Sequence, residues 1–323
     1  MDSNRQSIWF ISRVACGLAV LTLTLLSVIS ISAQTRGQVA EQDENYAVFV
    51  SQRNGAAELY LIDLTTKKVS QITNSGRGHL SPSIALDSRT ILFAERSGSN
   101  YELYSGQISA AWRNRRPTVV GVNRITTGTE DKYSPSISID GGMISFASGN
   151  GIELMTYNGA GRRVLVPVSE STNSFNPVIS PDGKRVAFAS DRSGSYEIWI
   201  YTRSTGDLRQ LTNGANVLGG LNWSIDSRQL AFASGSTSNG RSGIALANSE
   251  SGSFRVLTED NDSSPSLSAR GDRLIFTSTR EGDPELYLLN IGSGRIERLT
   301  NSMGVDDTAV FLSEPVRPYR SIP

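Results

Sequence analysis

Apolar and polar positions along this chain fall into short runs that recur at a near-constant spacing. The clearest unit is residues 177–201, PVISPDGKRVAFASDRSGSYEIWIY, echoed from residue 265 as PSLSARGDRLIFTSTREGDPELYLL. A small-large apolar run around one aromatic marks each copy: Phe49, Phe93, Phe146, Phe188, Phe232 and Phe276, separated by 44, 53, 42, 44 and 44 residues. A Leu-Thr pair or a relative of it closes each copy, at Ile72-Thr73, Ile125-Thr126, Leu165-Val166, Leu211-Thr212, Leu257-Thr258 and Leu299-Thr300. Each kind of marker defines the same six units.

The fourth copy shows how a unit divides. Asn176 to Ser180 predicts a first strand, and Pro181-Asp182-Gly183 a tight hairpin in which Pro fixes φ and Gly accepts positive φ. Arg185 to Ser190 (RVAFAS) is apolar enough for a strand covered on both faces. After the turn Arg192-Ser193-Gly194, Tyr196 to Tyr201 (YEIWIY) alternates polar with apolar, and a shorter fourth strand ends at Leu211-Thr212. Periods of about 40–50 residues built of four short strands are the signature of propeller blades. The predicted fold is all-β, a six-bladed β-propeller of four-stranded antiparallel blades.

The two ends of the array complement each other. The first unit begins at its second strand, Tyr46 to Ser51, whereas Asp307 to Glu314 (DTAVFLSE within it) has no partner of its own. That last segment is expected to supply the missing first strand, closing a ring without free edges.

Ahead of the array, Arg5 and Arg13 flank Val14 to Ile31, an uncharged and largely apolar run at the short end of what spans a bilayer. Ile31-Ser32-Ala33 offers a small residue for cleavage, so residues 1–33 read as a signal peptide or, uncleaved, as an N-terminal membrane anchor. Either way the array is expected to be exported, to a periplasmic or extracellular location, with the membrane touched only through that segment. Residues 34–45 form a polar linker, 46–314 the propeller and 315–323 a C-terminal tail.

Charge narrows the partners. Lys plus Arg and Asp plus Glu are both 31, so no global field attracts nucleic acid. The one cysteine, Cys16, lies near the start of the apolar run, which leaves the propeller without a disulfide and argues against a lipoprotein.

The succession Leu-Thr, Pro, SPDG, an AFAS-type strand, an Arg-x-Gly turn and a Glu-Ile-Trp or Glu-Leu-Tyr strand resembles the TolB-like β-propeller repeat family over roughly residues 46–314. Blades four and six fit best; blade three departs at Asp140-Gly141-Gly142 and Ser148-Gly149-Asn150-Gly151, and blade five at Leu221-Asn222 and Ser234 to Gly243. The resemblance implies a periplasmic propeller working with a protein partner, as TolB does with the peptidoglycan-associated lipoprotein. The α/β domain that precedes the propeller in TolB is expected to be missing here.

Catalytic vocabulary is thin. No G-x-S-x-G occurs, and the one histidine, His79, cannot build a zinc site with one cysteine in the apolar run. His79 reads as a solvated or hydrogen-bonding loop residue. Arg53, Arg96, Arg192 and Arg280, followed at five or six residues by Glu58, Glu102, Glu197 and Glu285, read as stabilising each blade, the Arg bridging to the Glu or capping turn carbonyls, and Asp87, Asp140, Asp182 and Asp226 read as turn residues.

Recognition is therefore sought where the repeats differ. The fourth-to-first loops, expected to ring one mouth of the central channel, carry Glu130, Asp131, Glu170, Glu259, Asp260, Asp262, Asp306 and Asp307 against Arg77 and Lys132. Such an acidic, solvent-exposed funnel suits a basic peptide, or a hard cation such as Ca²⁺ in the channel; the competing reading is ordinary solvated loop charge. No catalytic or cofactor-binding residue is assigned. A second candidate surface on the opposite face is the insertion Gln107 to Thr118 with Trp112, Arg113, Arg115 and Arg116, residue types common at interface hot spots. The favoured function is a non-catalytic scaffold binding a protein or peptide in the cell envelope. The alternative is a propeller hydrolase or lyase that acts on an extracellular polymer through channel carboxylates and a bound cation.

Overall fold

The structure, a computed structural model, describes residues 44–312 apart from 86, 88, 110–116 and 150. The apolar run and its cleavage site, nearly all of the linker, the tail, and Trp112, Arg113, Arg115 and Arg116 lie outside the described residues. Blade one holds β1 (Tyr46–Ser51), β2 (Glu58–Asp63) and β3 (Val69–Gln71), and blade two holds β4 (His79–Ile84), β5 (Thr90–Ser97), β6 (Asn100–Ile108) and β7 (Val119–Arg124). Blade three comprises β8 (Lys132–Ile137), β9 (Met143–Ser148), β10 (Gly151–Thr156) and β11 (Arg163–Val166); blade four comprises β12 (Ser174–Ile179), β13 (Arg185–Ser190), β14 (Glu197–Thr202) and β15 (Leu208–Gln210). Blade five follows with β16 (Val217–Trp223), β17 (Gln229–Ser234), β18 (Gly243–Asn248) and β19 (Phe254–Val256), then blade six with β20 (Asp262–Leu267), β21 (Arg273–Ser278), β22 (Glu285–Asn290) and β23 (Ile296–Arg298). The last strand, β24 (Asp306–Leu312), returns to blade one, giving the order β24-β1-β2-β3.

That pairing closes the ring as the chain ends predict: Tyr46 faces Leu312, Val48 faces Val310 and Ser51 faces Asp306 in an antiparallel ladder. Inner strands begin slightly earlier than the apolar pattern suggests, β24 at Asp306 and β12 at Ser174. The cause is a bulge. The third residue of each inner strand, or the fourth in β16, takes positive φ, at Ser81, Ser134, Asn176, Gly220, Ser264 and Thr308, and the ladder register slips there.

The small-large alternation of the second strands explains how blades stack. All six marker phenylalanines are fully buried. Phe188 packs with Ala147, Ile152 and Val166 of blade three, whereas Ala187 and Ala189, on the other face of the same strand, lie with Phe232 of blade five. The same fit repeats for Phe276 on Ala231 and Ala233, and for Phe146 on Ala94. Large side chains thus enter the space left by small ones, each buried phenylalanine contributing about 1.5–3 kcal/mol.

Around the channel, inner strands are latched to one another by hydrogen bonds. Ile137 N donates to Ser83 Oγ (3.2 Å), Ile179 N to Ser136 Oγ (3.1 Å) and Leu267 N to Asn222 Oδ1 (2.8 Å). Backbone groups that face no strand partner are satisfied by the preceding blade.

Candidate binding surface at the channel mouth

One residue per blade occupies the head of the inner strand, opposite the end of strand two: His79 against Glu95, two residues before the end of β5, and Lys132 against Ser148, Ser174 against Ser190, Val217 against Ser234, Asp262 against Ser278 and Asp306 against Ser51, each the last residue of its strand. Asp262 and Asp306 were expected as solvent-exposed funnel acids, but both are fully buried. Each instead receives the turn arginine of its own blade. Arg280 Nη2 lies 2.9 and 3.1 Å from the Asp262 oxygens, and Arg53 Nη2 lies 2.6 Å from Asp306 Oδ2. Removing such a charge from water is tolerable only because it is paired.

The expected pairing of turn arginine with the following glutamate is therefore corrected. Arg192 reaches Ser190 and Ser174 hydroxyls and stacks between Phe188 and Trp199, its pKa lowered by burial. Arg96 lies over Tyr101. The glutamates are buried and bind the closing threonine: Thr73 to Glu58, Thr126 to Glu102, Thr212 to Glu197 and Thr300 to Glu285. The second oxygen of Glu58, Glu197 and Glu285 takes a loop amide, from Gly76 (2.7 Å), Gly214 (2.7 Å) and Ser302 (2.6 Å) respectively. Glu102 and Glu285 gain an arginine from the outer strand, Arg124 and Arg298, rather than from the turn. The hairpin aspartates behave as turn residues; Asp182 Oδ1, for example, accepts from Ser180 Oγ (2.6 Å) and Lys184 N (3.1 Å).

Blade two inverts the arrangement, with the base on the inner strand and the acid on strand two. Of the two readings of His79, a solvated or a hydrogen-bonding loop residue, solvation fails, because the residue heads β4 and is 1% exposed. Its Nδ1 lies 3.1 Å from Glu58 Oε2 and its Nε2 3.1 Å from Glu95 Oε2, while Arg77 holds the other Glu95 oxygen at 3.0 Å. Held in this way, the imidazole is a structural bridge between blades one and two. Lys132, counted as a loop base, is also buried.

What remains of the acidic mouth is smaller. Glu130, Asp131 and Glu170 are exposed. Asp260 pairs with Arg241 at 3.2 Å, Glu259 accepts from Ser238, and Asp307 Oδ1 accepts from Thr277 Oγ1 at 2.7 Å. Three apolar side chains that the pattern of charges did not reveal stand among them: Met303 (94% exposed), Val168 and Leu218 (50%). Leu218 is an extra residue in the bulge of β16, between Val217 and Gly219 in the ladder. An inserted apolar residue in a bulge is the signal that could have been read in advance.

The channel itself, a cavity of about 320 Å³, is lined by Ser-Pro-Ser and related segments of the inner strands, among them Ser81, Ser134, Asn176, Asn222 and Ser264. Its one carboxylate, Asp262, is committed to Arg280. Hard cations take several oxygen ligands, usually including carboxylates, and among the described residues no group of three or more His, Cys, Asp or Glu converges. At the opposite end the channel widens into an apolar funnel with Ile84, Ile137, Ile179, Trp223 and Phe311, where Glu44 accepts from Ala269 N at 2.8 Å and burial raises its pKa to about 7.

Six four-stranded blades closed around a channel by a strand from the far end of the chain make this protein a six-bladed β-propeller. Residues 122–277 match the family model of the TolB beta propeller domain. The chain is 28% identical over 190 residues to a protein TolB homolog of Chlorobium chlorochromatii, covering 57% of this chain and 42% of the relative. It is 26% identical over 177 residues to the Tol-Pal system protein TolB of Francisella tularensis, covering 53% and 39%. The matched region thus spans about two fifths of these relatives' lengths. The crystal structure of TolB from Acinetobacter baumannii superposes with a TM-score of 0.67 at 20% identity, covering 83% of this chain and 66% of that one, a likeness of fold. The propeller is TolB-like.

Proposed function

We propose that this protein is a non-catalytic, exported scaffold that binds a protein or peptide partner in the cell envelope through the loop face of its propeller. The carrying observation is how charges are distributed: the repeated arginines, glutamates and inner aspartates are consumed inside blades, so Glu130, Asp131 and Glu170, with Val168, Leu218 and Met303, are the unlike groups left facing outward around one mouth. Exposed loop groups on a rigid scaffold are where recognition concentrates. Relatives named for the Tol-Pal system and the apolar run Val14 to Ile31 support an envelope setting, the periplasm being the natural compartment.

Crosslinked capture of partners from the native envelope tests this reading. The variant combining Glu130→Gln, Asp131→Asn, Glu170→Gln and Met303→Ser is expected to lose the captured protein while melting as the parent does. Capture of the same protein in undiminished yield overturns it.

A further inference from the structure

We infer that blade three carries a binding site for a carboxylate attached to a small aliphatic body, with Lys132 as its charged floor. In blades one, four and six the head of strand three is a glutamate, and in blade two the glutamate is the third residue, Glu102; each carboxylate binds the closing threonine. Blade three has Gly151 at that ladder position, facing Ser148 as Glu197 faces Ser190, and Val166-Pro167 where the others have a threonine. Acid and hydroxyl have been lost together. In their place is a cavity of about 450 Å³ lined by Lys132, Ser148, Gly151, Glu153, Arg162 and Val168 among others.

The protein cannot fill this space with a carboxylate of its own from strand three. A Cβ on Gly151 would lie 2.7 Å from Val166 O and 3.0 Å from Val168 N. Blade five shares the glycine, Gly243, but there the inner-strand residue is the apolar Val217, and a Cβ at Gly243 would meet Thr258 O at 1.8 Å. Blade five therefore needs no anion. Blade three does.

Lys132 is 1% exposed. Its ammonium has three protons to donate, and the acceptor it finds is the backbone oxygen of Glu130. The cavity wall offers it one carboxylate, Glu153, which faces two cations, Lys132 and Arg162. Glu153 is held in a bidentate pair by Arg162, at 2.5 and 2.9 Å, which lowers the glutamate pKa and raises that of the arginine. Glu130 stands exposed at the rim, its Oε2 3.7 Å from where a Cβ on Gly149 would sit. Two cations, one of them a buried ammonium, share that single carboxylate, and the excess positive charge is what an entering anion would offset. Val164, Val166 and Val168 on the wall, two of them more than half exposed, suit an aliphatic flank rather than a bare inorganic anion.

The carboxylate comes either from a free short-chain acid or from the C-terminus of a peptide, and the test separates these. Propionate and N-acetyl-Ala-Ala are titrated into the full chain, with propionamide and N-acetyl-Ala-Ala amide as controls, following amide shifts of Gly128 and Gly151 and the Lys132 Nζ resonance. At least one acid is expected to bind, with Lys132→Met weakening it about tenfold or more and Glu130→Gln tightening it about twofold by removing a rim charge of like sign. Tighter binding of the dipeptide assigns the site to a peptide terminus, tighter binding of propionate to a free acid. Lys132→Met removes a buried charge without changing volume greatly and is expected to fold; Glu130→Gln gives a second readout at a solvent-exposed position. No shift with either acid, equal shifts with the amides, or equal affinity in the Lys132→Met variant overturns the site. These outcomes are independent of partner capture, in which neutralising Glu130 has the opposite expected effect.

Discussion

Arg53 and Asp306, 253 residues apart, meet at 2.6 Å between Nη2 and Oδ2, and Ser51 donates to the other Asp306 oxygen at 2.5 Å. The pair sits where β24 meets β1, so the chemistry that stabilises blade six through Arg280 and Asp262 is reproduced in blade one from opposite ends of the chain. Asp306→Asn is expected to lower unfolding free energy by about 2–3 kcal/mol, below the full cost of breaking a buried pair because the arginine is partly exposed. Urea unfolding followed by tryptophan fluorescence measures it; a change under about 0.5 kcal/mol would contradict a structural role.

Thr212 is predicted to matter as much as a core residue. Its Oγ1 donates to Glu197 Oε2 at 2.7 Å and accepts from Ile198 N at 2.9 Å. Thr212→Val keeps the shape but strands both groups in a buried setting, at a cost of about 1–3 kcal/mol. Thr65→Val, in an exposed turn, serves as the near-neutral comparison in the same measurement.

Glu44 gives the fold a pH dependence. Burial holds its folded pKa at about 7, above the ordinary 4.5, so the folded state binds its proton more tightly than the unfolded state does. The associated stability is complete below about pH 4.5 and is lost as pH rises through 7, amounting to roughly 3 kcal/mol across that window. Glu44→Gln is expected to flatten this part of the melting profile and to be more stable than the parent at pH 8. A variant whose melting temperature tracks the parent between pH 5 and 8 would refute the assignment.

Gly220 is required on two grounds. Its φ is +64°, and a Cβ there would lie 2.7 Å from Pro265 Cδ and 2.9 Å from Ser264 Cα of the next blade. Gly220→Ala is expected to cost about 2 kcal/mol or more by calorimetry, because both strain and overpacking act. Gly98→Ala, with open space around its Cβ, isolates the cost of positive φ alone.

The repeats were legible because each is set by local pattern: six buried phenylalanines, one on the second strand of each blade, turn residues at fixed offsets, and complementary ends. The charges were not. Asp262 and Asp306 lie in polar stretches that read as loops, and only the pairing partner across the ladder, 16 residues on or 255 residues back, shows that each heads an inner strand. The bulge at the third residue of that strand breaks the alternation that would have revealed it. Glu197 and Thr212 are 15 residues apart on different segments, so a threonine that serves a carboxylate looks in sequence like punctuation. His79 and Lys132 were misplaced for the same reason as the aspartates, and with them the distinctive character of blades two and three.

Among the described residues, blade one is the sheet assembled from segments far apart in sequence, β24 beside β1 to β3, and synthesis makes β1 first. Until residue 312 has been made, β1 has no inner neighbour, and every shorter nascent chain is an open arc presenting an unpaired strand to its surroundings. The last seven-residue strand therefore acts as a completion check. A product that stops short of it retains most of its stacked blades yet keeps a sticky edge, which marks it for pairing with other chains or for clearance.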